Sequence, residues 1–324
     1  MFRKTPLIVF YATILFLIGC NQEASKYSKD TIHEILHIVH TGQSLGAGSQ
    51  SLPLVSDSIT NPRNLKFKIG THTWANTYYP DKPELRKDSL FQLTPLSSQR
   101  RVVEGETIAN GVCDHITNTA KLNKQTKLLF SYAGEGGRYL RELDKQHDDA
   151  KDPRAKGRQS KGGYYKTSID DIKRAKEFAK NYSVLAVTWM QGEANSDRKV
   201  NRWSKPLSRE ELLNVYKNDL IQIKRDYQTD ISTILGKKVK TPFFTYQTMG
   251  TMSGTAQLTA CDEEPEMFMV APTYMMPSAE NGFYEYKNKG YHGNFIHLAA
   301  DSQRWLGEQF GKVIRKVVFE KEKW

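Results

Sequence analysis

An alternation of short apolar runs with stretches of helical periodicity constrains this chain more than any other feature. Each apolar run is short enough for a buried strand, and glycine or polar residues follow it. Between the runs, apolar residues recur at helical spacing, which is typical of parallel strands joined by helices. The pattern predicts a three-layer α/β/α sandwich with a central parallel sheet. The predicted strands are 35–40, 128–133, 184–190, 243–247 and 268–271.

The predicted helices alternate with these strands, and Ser208 and Glu211 have the spacing of a capping box at the start of one helix. Residues 49–96 show no clear period, so we expect long loops that cross the top of the sheet there. No repeat or long linker divides the chain, and its length suits one large domain. The predicted helices are 108–122, 168–181, 207–227 and 299–318.

The N-terminal segment has the pattern of a bacterial lipoprotein signal. Arg3 and Lys4 precede an apolar run, 7–18, that is short for a bilayer span, and Cys20 follows a small residue at its end. An ordinary secretory signal or an uncleaved anchor is the alternative. We expect an exported lipoprotein, anchored to the membrane through lipidated Cys20 at the periplasmic face or the cell surface. The expected divisions are a signal peptide 1–19, a tether 20–34 and a single domain 35–324.

The chain is basic, with a formal net charge of +11 that falls to +9 once Arg3 and Lys4 are removed. A basic surface suits an anionic glycan, a membrane face or nucleic acid, and export makes nucleic acid the least favoured of the three. We therefore expect no nucleic-acid partner. Export also permits a disulfide, but the sequence leaves open whether Cys113 and Cys261 pair.

Polar turns follow three of the predicted strands. Ser44 comes after the first strand, the glycine-rich turn at Gly136 after the second, and Gln191 after the third. In an open parallel sheet the carboxyl ends of the strands share an edge, and ligands bind there. His297 precedes the last predicted helix, and the loop before it can return to the same edge. We expect these residues to form one site.

One competing motif lies in the first predicted strand. His33, Glu34 and His37 match the H-E-x-x-H pattern of zinc proteases, with His40 nearby. That pattern binds zinc only on a helix, where residues four apart share a face. Here β-branched residues favour a strand, and Gly42 ends the run before a helix can continue. We expect no metal and interpret these histidines as core or strand-edge residues.

A serine, a histidine and a polar donor are the parts of an acyl-transfer hydrolase. The hydroxyl of Ser44 is a poor nucleophile at neutral pH and needs a base within hydrogen-bond reach, for which His297 is the candidate. Glycines beside Ser44 allow a tight turn that presents its N–H to a developing oxyanion, and Gln191 can donate to the same oxygen. In isolation, each of these segments is also typical of an inert turn.

Together these segments resemble the sialate O-acetylesterase family, which is related to carbohydrate esterase family 6 within the SGNH hydrolase superfamily. The similarity runs from about residue 35 to residue 318 and implies a flavodoxin-like SGNH hydrolase fold. The blocks that carry it are Gly42-Gln43-Ser44, Gly136-Gly137, Trp189 with Gln191-Gly192-Glu193, and His297-Leu298 followed by Leu306-Gly307-Glu308.

The resemblance implies that Ser44 is the nucleophile and that His297 is the general base that later protonates the leaving alcohol. It also implies an oxyanion hole made by the Ser44 N–H, the Gln191 side chain and a glycine N–H. Gly105 is the first candidate for that glycine and Gly136 the second. No cofactor is implied. Supporting roles, in which hydrogen bonds hold the site together, fall to Gln43 and Glu193.

Three positions depart from the family pattern. Leu45 replaces an asparagine and Asn195 an aspartate, and neither touches the proposed proton path. Asn294 stands three residues before His297, where the family has an acid. An asparagine can orient an imidazole but cannot stabilise the imidazolium by charge. Three interpretations follow: a Ser44–His297 dyad helped by Asn294, an acid supplied from elsewhere, or a weakened site that binds without turnover.

We therefore expect the exported protein to remove O-acetyl groups from a glycan, either sialic acid or another acetylated saccharide, through an acetyl-serine intermediate. The alternative is a glycan-binding lipoprotein on the same fold whose catalytic site is weakened or lost. Specificity for the sugar would lie in the loops 49–96 and 138–166.

Overall fold

The chain folds around one mostly parallel sheet with helices on both faces. No helix of the described ranges is both long and apolar enough to cross a membrane. The computed structural model describes residues 32–73, 88–98, 105–147, 163–248, 251–271 and 297–322.

Seven strands make up the sheet: β1 (Ile32–Gly42), β2 (Asn64–Phe67), β3 (Leu93–Pro95), β4 (Thr126–Gly134), β5 (Ala179–Met190), β6 (Phe243–Thr245) and β7 (Met267–Met269). Their order across the sheet is β3-β2-β4-β1-β5-β6-β7. Among these described strands, β3 alone runs antiparallel to its neighbour, β2. β1 is the central strand, because β4 and β5 flank it along most of its length.

Five α-helices of the described ranges cover the two faces of this sheet: α1 (Ala109–Thr119), α2 (Gly163–Lys176), α3 (Arg209–Leu235), α4 (Met252–Glu263) and α5 (Ala300–Ile314). Apolar residues of α1 and α5 pack together on one face, and a π-helical turn, Arg315–Phe319, extends α5. Apolar residues of α2, α3 and α4 pack on the other face. The result is the three-layer α/β/α sandwich that the sequence predicted.

The strong periodic patterns predicted the structure well. All five predicted strands and all four predicted helices exist, although their ends differ by several residues. Ser208 caps α3 as expected, because its side chain accepts a hydrogen bond from the Glu211 N–H. The prediction of loops throughout 49–96 was wrong, because β2 and β3 lie there. The helix α4 was also missed, since its apolar and polar residues do not separate onto two faces.

The two cysteines of the described chain do not pair. Cys113 lies in α1 and Cys261 in α4, and these helices cover opposite faces of the sheet. Both thiols are free.

The three polar turns of the predicted site leave the sheet side by side. In the sheet register, Gly42 at the end of β1 pairs with Gly134 on β4 and with Met190 on β5. A Cβ on Gly42 would lie 2.1 Å from the Met190 carbonyl oxygen, and the φ of Gly42 is 152°. A Cβ on Gly134 would in turn lie 2.2 Å from the Gly42 carbonyl oxygen. Glycine is therefore required for the strand ends to approach this closely.

We predict that Gly42→Ala lowers the free energy of unfolding by about 3 kcal/mol, since the new methyl group meets backbone that cannot move aside. The control is Gly236→Ala at the end of α3, where φ is 67° but no atom lies within 4 Å of the added Cβ. The control variant should lose only about 1 kcal/mol of unfolding free energy, which is the cost of placing alanine in the left-handed region. Urea unfolding of both variants measures the difference. Equal losses would show that the close approach at Gly42 is not limiting.

Candidate active site

The turn after β1 presents Ser44 at the edge of the sheet. Gln43 is buried and Ser44 is partly exposed. The Gln43 N–H donates to the Met190 carbonyl oxygen at 2.8 Å, and the Ser49 N–H donates to the Ser44 carbonyl oxygen at 2.9 Å. The buried Tyr132 hydroxyl donates to the Gln43 carbonyl oxygen at 3.0 Å. The backbone on both sides of Ser44 is thus fixed while the residue itself stays partly exposed.

Gly136 lies against Ser44. A Cβ built on Gly136 would contact the Ser44 Cβ at 3.5 Å. Within the described part of the chain, the backbone N–H groups of Ser44 and Gly136 donate no hydrogen bond. Two free backbone donors beside a candidate nucleophile are the elements of an oxyanion hole.

Gly105, the first candidate for the glycine donor, has a different role in the structure. Its N–H donates to the Gly48 carbonyl oxygen at 2.9 Å, and a Cβ at this position would lie 2.0 Å from the Ser51 carbonyl oxygen. Gly105 therefore supports the loop that follows Ser44. Because its N–H is already engaged, the second candidate, Gly136, fits the oxyanion role better.

Gln191 is buried directly behind the site, and its amide is fully used. Its Nε2 donates to the Arg138 carbonyl oxygen at 3.0 Å and to Asn195 Oδ1 at 2.6 Å. The hydroxyl of Tyr216 donates to Gln191 Oε1 at 2.8 Å. With both N–H groups engaged, Gln191 in this conformation connects the β4 and β5 turns and does not donate to an oxyanion.

Gln43 and Glu193 hold two of the turns together by hydrogen bonds, and their predicted supporting roles in the reaction stay predictions. Gln43 Nε2 donates to Glu193 Oε2 at 2.5 Å, and Gln43 Oε1 accepts from the Ala194 N–H at 3.2 Å. The Tyr246 hydroxyl donates to the other Glu193 oxygen. Burial raises the pKa of Glu193 above its ordinary value, while the bonds from Tyr246 and Gln43 act in the opposite direction.

His297 is joined to the loop that follows Ser44. Its Nδ1 is hydrogen-bonded to Gln50 Oε1 at 2.7 Å. Next to this contact, the Ser51 hydroxyl donates to the Leu298 carbonyl oxygen at 2.7 Å. Burial lowers the pKa of His297 below its ordinary value, so the imidazole is neutral at neutral pH and can accept a proton.

A further bond from α5 strengthens this connection, because Gln303 Nε2 donates to the Leu45 carbonyl oxygen at 2.8 Å. Ser44 and His297 are therefore brought to the same loop, although no hydrogen bond joins Ser44 Oγ to His297 among the described residues. Asn294 and Cys20 lie outside the described residues, and their predicted roles stay predictions.

Sequence reasoning missed two members of this site, Gln50 and Tyr246. Gln50 has a φ of 64°, which is unusual for a residue other than glycine, but nothing in the sequence marks that conformation. Tyr246 follows β6 and so lies at the same edge as the other turns. The rule that placed Ser44 and Gln191 at that edge could have found it.

The H-E-x-x-H segment forms part of a strand, as predicted, since His33, Glu34 and His37 all lie in β1. His37 Nδ1 is hydrogen-bonded to the Tyr182 hydroxyl at 2.7 Å and Nε2 to Ser131 Oγ at 2.9 Å. Both ring nitrogens are used, and burial lowers the pKa of His37 to about 3. The histidine is a neutral core residue.

A polar groove of about 750 Å³ opens on the far side of the turn that carries Glu193. Asn195 and Thr248, both buried, contribute to its wall, and Arg198 and Arg209 lie at its exposed edge. Neither arginine forms an ion pair within the described chain. The residues that line the groove include no carboxylate, so its wall presents the two arginine side chains together with hydroxyl groups.

The sheet order and the helices on both faces define a three-layer α/β/α protein whose turns meet at the carboxyl edge of the sheet. The fold is similar to that of NanS, with a TM-score of 0.59 and 13% identity, covering 91% of this chain and 99% of NanS. It is also similar to a protein from Arabidopsis thaliana, with a TM-score of 0.55 and 12% identity, covering 89% of this chain and 99% of that protein.

A third similar structure is a carbohydrate acetylesterase from Xanthomonas citri, with a TM-score of 0.50 and 13% identity. The match covers 89% of this chain and 57% of the esterase. No family model matches the chain, and no curated protein matches its sequence. Identities this low establish a shared fold, so the predicted three-layer α/β/α architecture is confirmed, and the assignment to the SGNH hydrolases stays a prediction.

We predict that Glu193→Gln makes folding stability less dependent on pH. A carboxyl whose folded pKa lies above its unfolded value, 4.5, holds more protons in the folded state between these two pKa values. The free energy of unfolding of the parent should therefore fall as pH rises through that window. Urea unfolding from pH 4 to pH 8 should show a smaller fall for the variant, whereas parallel curves would contradict the raised pKa.

Proposed function

We propose that this protein is a serine-dependent carbohydrate O-acetylesterase. The observation that carries the proposal is the meeting of Ser44, Gly136 and His297 around one loop at the carboxyl edge of the sheet. The serine is partly exposed, two backbone donors beside it are free, and a neutral histidine is bonded to its loop. These are the parts that acyl transfer requires.

In the proposed reaction, His297 Nε2 accepts the hydroxyl proton of Ser44 as Oγ attacks the acetyl carbonyl carbon. The N–H groups of Ser44 and Gly136 stabilise the negative charge on the carbonyl oxygen. Collapse of this intermediate breaks the bond to the sugar oxygen, which takes the proton from His297. His297 then takes a proton from water as the water oxygen attacks the acetyl-serine carbonyl carbon. It returns this proton to Ser44 Oγ as the bond between Oγ and the acetyl carbon breaks and acetate leaves.

The saccharide part of the proposal is supported by the polar groove beside Glu193. Its hydroxyl-bearing lining suits a ligand rich in hydroxyl groups, and Arg198 and Arg209 suit an acidic sugar. The groove shares Asn195 with the network that fixes Gln191. A saccharide that extends from Ser44 across this turn would thus meet the arginines.

The cellular part of the proposal comes from the sequence. We propose export and attachment to a membrane through lipidated Cys20, on the strength of the apolar run that ends at this cysteine.

The competing function is saccharide binding without turnover, as in the second expectation from the sequence. One observation favours it: the residue bonded to His297 Nδ1 is the uncharged amide of Gln50. A neutral partner gives no charge stabilisation to the imidazolium that forms during the reaction. This alternative predicts binding of acetylated saccharides without release of acetate.

Acetate release by the purified protein tests the function. We expect hydrolysis of p-nitrophenyl acetate and of at least one O-acetylated saccharide, from a panel of acetylated sialic acids and xylans. Ser44→Ala should lower kcat by about 10⁴-fold or more, because the nucleophile is lost. Ser58→Ala, which changes an exposed serine, serves as the control. No acetate release by the parent, together with saccharide binding, would establish the competing function.

We also predict that Arg198→Ala and Arg209→Ala each raise the KM for an acidic acetylated saccharide by about tenfold, the value of one charge-assisted hydrogen bond. Hydrolysis of p-nitrophenyl acetate should not change, because that substrate does not reach the groove. Lys238→Ala removes the same charge beyond the far end of α3 and is the matched control. Equal effects of all three substitutions would show that the groove is not used.

A further inference from the structure

We propose that Gln50 is the positioning residue of His297 and takes the place that an acid has in a charged triad. The inference rests on the proposed function and adds to it the residue that orients the base. The hydrogen bond between His297 Nδ1 and Gln50 Oε1, 2.7 Å long, carries it.

The bond fixes the tautomer of the imidazole. An amide oxygen only accepts hydrogen bonds, so His297 Nδ1 carries the proton and donates it to Gln50. In the neutral ring the other nitrogen, Nε2, is then unprotonated. That is the nitrogen that must accept the Ser44 proton, so Gln50 selects the tautomer that the reaction needs.

The backbone at Gln50 is held for this contact. Its φ of 64° places a residue other than glycine in the left-handed region, at a cost of about 1–2 kcal/mol. Such strain persists only where neighbouring contacts impose it. On one side the Gly48 carbonyl oxygen accepts from the Gly105 N–H, and on the other the Ser51 carbonyl oxygen accepts from the Glu106 N–H. The loop therefore presents the Gln50 amide to His297 in a fixed direction.

Among the described residues of the neighbouring elements, no charged side chain is hydrogen-bonded to the His297 ring in place of Gln50. Glu106 is buried, and its Oε2 accepts from the N–H groups of Val55 and Ser56. In the first turns of α5, Arg304 pairs with Asp114 and Asp301 is exposed. Burial alone accounts for the lowered pKa of His297. Among the described residues, Gln50 is the partner of the ring.

Gln50→Met tests the positioning role directly, because it keeps the length of the side chain and removes the acceptor. We expect kcat to fall by about 10²-fold with KM unchanged, since a misplaced base slows the chemistry without weakening binding. Gln50→Gly should give the same loss of kcat while folding stability is kept or raised, because glycine relieves the left-handed strain. Full activity in either variant would overturn the proposal.

Gln50→Glu restores a charge at the same place and gives a second readout. A carboxylate beside Nδ1 should raise the pKa of His297, so the acidic limb of the kcat/KM profile should move up by about 1–3 pH units. At pH values above that limb, kcat should equal or exceed the parent value. An unchanged pH profile would contradict the contact. A larger loss of kcat in Asn294→Ala than in Gln50→Met would also contradict the proposal, because that result would identify Asn294 as the residue that orients His297.

A measurement without turnover separates this proposal from the proposed function. In ¹⁵N NMR of the histidine-labelled parent, His297 should be the tautomer with its proton on Nδ1, and Gln50→Met should shift it toward the tautomer with its proton on Nε2. That result would support the role of Gln50 even in a protein that releases no acetate. A ring with Nε2 protonated in the parent would overturn the proposal whatever the activity.

Discussion

The close approach of three strand ends at Gly42 is the constraint on which the candidate site depends. Gly42 pairs with Gly134 on one side and Met190 on the other, and a side chain at Gly42 would meet the Met190 carbonyl oxygen at 2.1 Å. Because the strands end in one row, the turns that follow them are neighbours. The side chains of the turns then form the contacts that fix the site: Gln43 donates a hydrogen bond to Glu193 and accepts one from the Ala194 N–H.

The candidate site consists of a hydrogen-bonded group of residues behind Ser44 and a group of unbonded donors beside it. Gln191 and Glu193 have their polar atoms engaged behind Ser44, with Tyr216 and Tyr246 as partners. Beside them, Ser44 is partly exposed, and the N–H groups of Ser44 and Gly136 have no acceptor among the described residues, so they are the donors that the proposed reaction would use. Preorganised donors of this kind need no rearrangement when negative charge develops, which is why they contribute strongly to acyl transfer. The neutral partner of His297 is the unusual element, because in the proposed mechanism Gln50 would orient the base without adding charge.

Much of the fold could be predicted from the sequence, because long apolar runs and amphipathic stretches determine burial almost alone. β1, β4 and β5 are of this kind, and the edge shared by Ser44 and Gln191 follows from them. β2 and β3 could not be found, because these short strands are set by pairing, β2 with β4 and β3 with β2, and carry little pattern of their own. The details of the site could not be predicted for the same reason, because they too are set by tertiary contacts. Residue types suggested Ser44 and His297, but which N–H groups are free and which residue contacts His297 depend on tertiary hydrogen bonds.

Chemical labelling tests whether Ser44 is an activated nucleophile. A fluorophosphonate reacts with a serine hydroxyl that a nearby base has activated, and peptide mass spectrometry locates the adduct. We predict one phosphonyl group per chain on the peptide that contains Ser44, with labelling slowed by an acetylated saccharide. An unlabelled protein, or a label on another serine with Ser44 unmodified, would contradict the account.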